Sequence, residues 1–168
     1  TNYLRHRGKP LLALWGCGFS DNESTRPNLD DWRKILTFLK TDPDAGGLAI
    51  MLGVPSFWRT QTRDAITDPA LHEILQLADV ISPWSVGRYR TPAETASHAA
   101  TAWQPDLLWC RERGIDFLPV AFPGFSWTNL KGAGTVLDQI PRLQGRFFWS
   151  QVAIAKRSGA DMLYVAMF

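Results

Sequence analysis

Five apolar segments of strand length recur along the chain, and helical patterns lie between them. The segments begin near Leu11, Gly47, Val80, Ile115 and Asp161. Their nearly continuous apolarity is typical of parallel strands that are covered on both faces. The order of elements is therefore βαβαβαβαβ, which places the chain in the α/β class.

The spacing of these segments favours a parallel (β/α)8 TIM barrel over an open sheet. The segments start about every 37 residues, so eight units would fill roughly 300 residues, within the usual range of such a barrel. About five of the eight βα units would be present. A doubly wound open sheet is the alternative, but it normally carries a glycine-rich phosphate turn after its first strand. Residues 16–18 supply only GxG there, without a third glycine.

Three helices can be placed between the segments from their apolar faces. Residues 28–40 put apolar side chains on one face behind Asn28 as the N-cap, and residues 69–78 form a second such face. Residues 147–157 form another helix, which Gly159 ends. The first two of these helices are expected to pack on the sheet.

A longer helix is expected between the third and fourth apolar segments. Thr91 and Glu94 form a capping box at its start, and Gly114 ends it. Pro105 must kink or split this helix, because proline lacks the backbone N–H and its ring clashes with the preceding turn.

Both ends of the chain resemble interrupted elements. Residues 1–8 look like the last turns of a helix with Gly8 as its stop. The last apolar run reaches Phe168 with no turn after it. We therefore expect residues 1–168 to be one partial barrel domain that is truncated at both ends.

Composition excludes several classes of protein. The chain is 45% hydrophobic and 20% charged, which excludes disorder, and no apolar run approaches the roughly 18 to 20 residues of a membrane helix. The net charge of +2 comes from residues spread along the chain, so no nucleic-acid surface is indicated. Cys17 and Cys110 are expected to be free, buried thiols. No metal is expected, because no CxxC or HExxH spacing is present.

Tryptophan is unusually frequent, with eight residues in the chain. Half of them lie in segments that leave the first four strands, residues 15–19, 53–59, 83–89 and 122–127. Ligands of α/β barrels bind beyond the carboxyl ends of the strands, so we interpret these four as ligand-facing, with packing as the alternative. The helix-borne tryptophans are expected to pack in the core: Trp32, Trp103 and Trp109.

Polar side chains near these segments suit a carbohydrate. Guanidinium, phenol and amide groups bind hydroxyls with directional hydrogen bonds, and aromatic faces can stack on sugar rings. For Arg59 and Arg88 two alternatives stay open, pairing with carboxylates elsewhere or binding of an anionic ligand. Carboxylates are scarce, since only Asp21 and Glu23 follow a strand, and a solvated turn is the simpler interpretation of both.

Six segments, taken in order, resemble a known group of enzymes. They are LALWGCGF, GVPSFWR, ADVISPWSVGRY, LPVAFPGFSW, GRFFWSQV and GADMLYVAMF. Together they resemble the glycoside hydrolase family 71/99-like barrel proteins, which include bacterial members labelled xylosidase/arabinosidase and relatives among the endo-α-mannosidases and α-1,3-glucanases. The resemblance extends over nearly the whole chain, residues 3–168.

This resemblance implies a barrel that binds an oligosaccharide or polysaccharide at the carboxyl ends of its strands and hydrolyses glycosidic bonds by carboxylate acid/base catalysis. It implies no metal or organic cofactor and a secreted or periplasmic parent protein. The catalytic acids would follow Phe168, so the chain alone is expected to be inactive. The positions that the resemblance marks as substrate-binding are Trp15, Trp58, Arg59, Trp84, Arg88, Tyr89, Phe125, Trp127, Trp149 and Gln151.

Two other functions stay open. A non-catalytic carbohydrate-binding protein of the same fold would keep the aromatic segments without the acids. A scaffold protein would use its aromatic residues only for packing.

Overall fold

The structure, a computed structural model, describes residues 2–21, 26–126, 128 and 139–166. The chain divides into two units. Unit 1 contains Thr1–Trp84 and Leu108–Phe117, and unit 2 contains Ser85–Leu107 and Leu118–Phe168.

Unit 1 is built on a five-stranded sheet in the order β1-β2-β3-β4-β5. Strands β2 to β5 are parallel, and β1 is antiparallel to β2. All six residues of β3 are buried, as expected of a strand covered on both faces. The sheet confirms the α/β class. The strands are β1 (Arg5–His6), β2 (Lys9–Trp15), β3 (Ala49–Val54), β4 (Val80–Pro83) and β5 (Asp116–Phe117).

The expected helix end in residues 1–8 is wrong, because this segment forms a β-hairpin. Arg7 and Gly8 have φ values of 48° and 81° and form the two-residue turn between β1 and β2. A two-residue hairpin turn needs such positive values, and glycine supplies one without steric cost. Gly8, expected to end a helix, is therefore the second residue of the hairpin turn.

The sheet of unit 1 is curled. The Arg7 guanidinium lies 3.0 Å from the Asp116 carboxylate and also donates to the Gly114 carbonyl. Arg7 lies next to the first strand of the sheet order and Asp116 lies in the last one, so the two edges must approach each other. A curled parallel sheet is the arrangement that a partial TIM barrel requires.

The two helices of unit 1 that precede β4 are confirmed. Helix α1 (Leu29–Thr41) begins behind Asn28, whose Oδ1 accepts a hydrogen bond from the Asp31 N–H at 2.9 Å. Helix α2 (Ala70–Leu75) is shorter than predicted. Helix α1 buries Trp32 and Leu36, the centre of its apolar face.

The long helix after β4 is split before Pro105, as predicted. Helix α3 (Pro92–His98) begins at Thr91, whose hydroxyl accepts from the Glu94 N–H. A π-helical turn (Ala99–Trp103) then connects it to helix α4 (Gln104–Arg111). The wider turn lies where Pro105 cannot donate its i→i−4 hydrogen bond.

Besides α3 and the π-helical turn, the described residues of unit 2 form two strand pairs and a further helix. Strands β6 (Val120–Ala121) and β9 (Tyr164–Val165) are parallel, and β7 (Phe125–Ser126) and β8 (Gln139–Ile140) are antiparallel. Helix α5 (Arg146–Arg157) follows a 3₁₀ turn and confirms the predicted helix.

The fourth apolar run forms two strands instead of one. Its first half is β5 in the sheet of unit 1, and its second half is β6 in unit 2. The count of five barrel units therefore stays a prediction. No helix among the described residues is both long and apolar enough to cross a membrane.

Candidate functional site

Two partly exposed tryptophans meet at the carboxyl ends of the strands in unit 1. Trp15 ends β2 and Trp84 directly follows β4. Their ring centroids are 5.4 Å apart with an interplanar angle of 86°, an edge-to-face pair. Trp15 is 36% exposed and Trp84 is half-buried. This tryptophan pair gives unit 1 an aromatic surface at the edge where ligands bind in α/β folds.

Gly53 makes room for the pair. It lies opposite Trp15 in the β2–β3 register, and the Trp15 ring covers it. A Cβ atom at Gly53 would lie 2.0 Å from Trp15 Cε3 and 2.1 Å from Cδ2. Because real atoms never approach so closely, the indole can occupy this place only above a glycine.

The loop that follows β3 is held to the same strand ends by Asp64. Its carboxylate accepts hydrogen bonds from the Ser56 N–H at 3.0 Å and the Phe57 N–H at 3.2 Å. The Ser56 hydroxyl donates to the Trp84 carbonyl. Asp64 is half-buried, and no local sequence signal indicates that it holds this loop.

Trp58 lies in this loop but packs in the core. Its side chain is fully buried, with ring centroids 4.8 Å from Trp109 and 6.0 Å from His72. The structure thus places Trp58 with the packing tryptophans, and its ring has no surface for a ligand. Arg59, the next predicted site residue, is half-buried.

A cavity of about 610 Å³ lies between residues that follow β2 and the starts of α1 and α2. Its lining includes Gly16, Phe19, Arg26 and Asp68. The Arg26 guanidinium lies 4.9 Å from the Phe19 ring centroid and 2.9 Å from the Asp21 carboxylate. Sequence reasoning missed Arg26, because only the folded loop brings it against the backbone at Gly16. Glu23 lies outside the described residues.

Two predicted site residues in unit 2 are buried. Tyr89 is 1% exposed, and Gln151 is fully buried. The Tyr89 hydroxyl lies 3.2 Å from Gln151 Oε1 and 3.2 Å from the Val120 carbonyl oxygen. Burial raises the pKa of Tyr89 well above its usual value, although a hydrogen bond with Ser85 opposes the shift. The phenol therefore stays protonated and acts as a donor.

The other predicted residues of unit 2 are more accessible. Trp149 is 67% exposed in the first turn of α5 and contacts Phe148 edge-to-face. Arg88 is exposed and Phe125 is half-buried. Trp127 lies outside the described residues.

Cys17 and Cys110 are both buried and do not form a disulfide, as predicted. Burial raises the pKa of the Cys17 thiol to about 12, so it stays protonated and is a poor nucleophile at neutral pH. Within the described residues, no three His, Cys, Asp or Glu side chains form a group that could hold a metal ion.

Comparison with solved structures shows the fold. The chain is similar to the GH99 endo-alpha-mannosidase from Bacteroides thetaiotaomicron, with a TM-score of 0.66 and 16% identity over 98% of this chain and 43% of that chain. It is also similar to the same organism's GH99 endo-alpha-mannosidase in complex with BIS-TRIS-Propane, with a TM-score of 0.64 and 17% identity over 98% of this chain and 46% of that chain. The chain thus spans less than half the length of these structures.

These structures confirm the expected resemblance at the level of the fold, which is a partial, TIM-barrel-like GH99 fold. No family model matches the chain. No curated protein matches it either.

Proposed function

We propose that this chain is the carbohydrate-binding part of a glycoside hydrolase that acts on oligosaccharides or polysaccharides. The observation that carries the proposal is the tryptophan pair over Gly53, at the carboxyl ends of parallel strands. The fold similarity to two endo-alpha-mannosidase structures supports the same reading. Those names also make α-linked mannooligosaccharides the first substrates to test.

The chemistry of the pair suits a sugar. A pyranose ring presents apolar C–H faces with hydroxyls at its rim, and an indole provides a flat apolar surface of similar size. Arg59 follows in the loop held by Asp64 and would bind rim hydroxyls. Within unit 2, taken by itself, the accessible predicted sugar contacts are Arg88, Phe125 and Trp149.

The catalytic acids are proposed to lie in residues that follow β9 in the whole protein. Glycoside hydrolysis normally uses two carboxyl groups that flank the scissile bond. Near the tryptophan pair, Asp64 already accepts from two backbone N–H groups, and Asp21 is paired with Arg26. We propose that acid/base catalysis needs no metal or organic cofactor, and, on the resemblance alone, that the protein is secreted or periplasmic.

The test is isothermal titration of the protein with α-linked mannooligosaccharides. Trp15→Ala and Trp84→Ala should each weaken binding roughly tenfold, since covering about 60 Å² of indole is worth about 1.5 kcal/mol. Phe38→Ala is the matched control, because Phe38 is an exposed aromatic on α1 and should leave affinity unchanged. Equal affinities in all variants would overturn the proposed site.

A non-catalytic binding protein is the second candidate. Asp21 is paired with Arg26, and Asp64 accepts a backbone hydrogen bond from Ser56. Because both carboxylates already have partners, the described part of the chain favours a non-catalytic binding protein. An assay of the whole protein for glycan binding and cleavage distinguishes the two candidates. Cleavage of a bound glycan supports the hydrolase. Binding without cleavage, after the carboxylates that follow β9 have been identified and replaced without effect, supports the binding protein.

A further inference from the structure

We propose that Gln151 and Tyr89 are positioning residues that hold the 122–126 loop, the segment from Phe122 to Ser126 that follows β6, and that they do not contact sugar themselves. The inference rests on the proposed carbohydrate-binding function and reassigns two positions that the resemblance marks as substrate-binding. It depends on contacts within unit 2 only.

The side-chain amide of Gln151 pairs with both backbone groups of Phe122. The Phe122 N–H donates to Oε1 at 3.0 Å, and Nε2 donates to the Phe122 carbonyl at 2.8 Å. Nε2 also donates to the Phe147 carbonyl at 3.1 Å, and Oε1 accepts from Tyr89. Both N–H bonds and both lone pairs of the amide are thereby used. A fully buried amide whose hydrogen-bond donors and acceptors all have partners within the protein cannot bind a substrate hydroxyl.

This pairing lies directly after β6. Among the described residues, the last hydrogen bond between β6 and β9 joins the Ala166 N–H to the Ala121 carbonyl. Phe122 is the next residue along the chain, is fully buried, and has its backbone N–H and C=O bonded to the Gln151 amide. Buried N–H and C=O groups need hydrogen bonds, and the Gln151 amide supplies them for Phe122.

Tyr89 holds the side-chain amide of Gln151 in place. Its hydroxyl is a single donor within reach of Gln151 Oε1 and the Val120 carbonyl, on the strand that leads into the loop. Its ring packs against Phe122 and Phe147, with centroids 5.4 and 6.2 Å away. The ring and the hydroxyl therefore hold the start of the loop and the helix that carries Gln151.

The far end of the loop is held by close backbone packing. A Cβ atom at Gly124 would lie 2.7 Å from the Ile140 carbonyl oxygen, and Phe125 pairs with Ile140 in the β7–β8 ladder. The loop is thus anchored at Phe122 and at Phe125. The place that Phe125 and Ser126 occupy depends on the Gln151 amide at one end.

The test compares Gln151→Met, which keeps the volume but removes the amide, with the milder Tyr89→Phe. Amide hydrogen exchange is followed by NMR, and affinity for an α-linked mannooligosaccharide by titration. We expect the Phe122 amide to exchange at least about tenfold faster in Gln151→Met, because a buried donor loses its partner, and the Ile154 amide on the same helix to be unchanged. Tyr89→Phe should give a smaller change in the same direction.

Binding should weaken roughly three- to tenfold, because the loop must then be ordered on binding. A merely structural residue would speed exchange at Ile154 as much as at Phe122, and that result would overturn the inference. Faster exchange at Phe122 with unchanged affinity would also overturn it. If the unmodified protein binds no glycan, the proposed function fails, whereas the exchange data still decide whether Gln151 holds the loop.

Discussion

Gly53→Ala is expected to displace the Trp15 indole and to abolish the tryptophan pair. The added methyl group would lie 2.0 Å from Trp15 Cε3, whereas ordinary van der Waals contact begins at 3.4 Å. The ring must therefore move by more than 1 Å. The φ angle of Gly53 is not among the positive values, so alanine meets no backbone penalty there, and the effect comes from the side chain alone.

The cost in stability should be modest and the cost in binding larger. Overpacking typically costs about 1–3 kcal/mol, and loss of an aromatic pair about 0.5–1.5 kcal/mol. Trp15 is 36% exposed and can turn outward instead of straining the sheet, so we expect about 1–2 kcal/mol in the free energy of unfolding. Affinity for an α-linked mannooligosaccharide should fall roughly tenfold, about 1.4 kcal/mol.

Urea unfolding, near-ultraviolet circular dichroism and isothermal titration measure the three effects. Gly114→Ala is the matched control, because Gly114 has φ of +67° with open space around its Cβ position. It should cost about 1–2 kcal/mol through backbone strain and leave affinity unchanged. If Gly53→Ala retains full affinity while the aromatic dichroism shows that the pair is broken, the pair is not a binding surface. If the dichroism is unchanged, the packing argument itself is refuted.

Three further outcomes are expected. Trp58→Ala should lower the free energy of unfolding by about 3–5 kcal/mol in urea titrations, because it empties a fully buried site between Trp109 and His72. Burial opposes the charge of Asp79, but the Ile50 N–H and Lys40 outweigh it and lower the Asp79 pKa. Its stabilisation is present above the unfolded pKa of about 3.9 and is lost as the pH falls through the lower folded pKa, so Asp79→Asn should flatten the acid limb of a pH–stability curve. Cys17 should resist iodoacetamide at pH 8 until urea unfolds the protein, as mass spectrometry would show, since burial raises its pKa to about 12.

Helix starts could be predicted from the sequence because they depend on residues close together in the chain. The Asn28 side chain caps a backbone N–H three residues later, and Thr91 does the same. The break before Pro105 is equally local, since it follows from one missing donor.

Strand pairing could not be predicted with the same success. Gly8 is compatible with a helix stop and with a hairpin turn, and only the pairing of β1 with β2 decides between them. The apolar run after Ile115 reads as one strand, yet β5 and β6 belong to different sheets. Hydrogen-bonded partners far apart in sequence leave no signal in either strand alone.

The sequence by itself determined the α/β class, the helix caps and the concentration of tryptophan after the strands. The tertiary structure decided which tryptophans face outward. Trp58 and Trp84 lie in similar segments, each near proline and serine, but Trp58 meets Trp109 and His72 in the core whereas Trp84 meets Trp15 over Gly53. Burial depends on neighbours that the fold brings from distant parts of the chain, so no local pattern can distinguish a packing ring from a binding one.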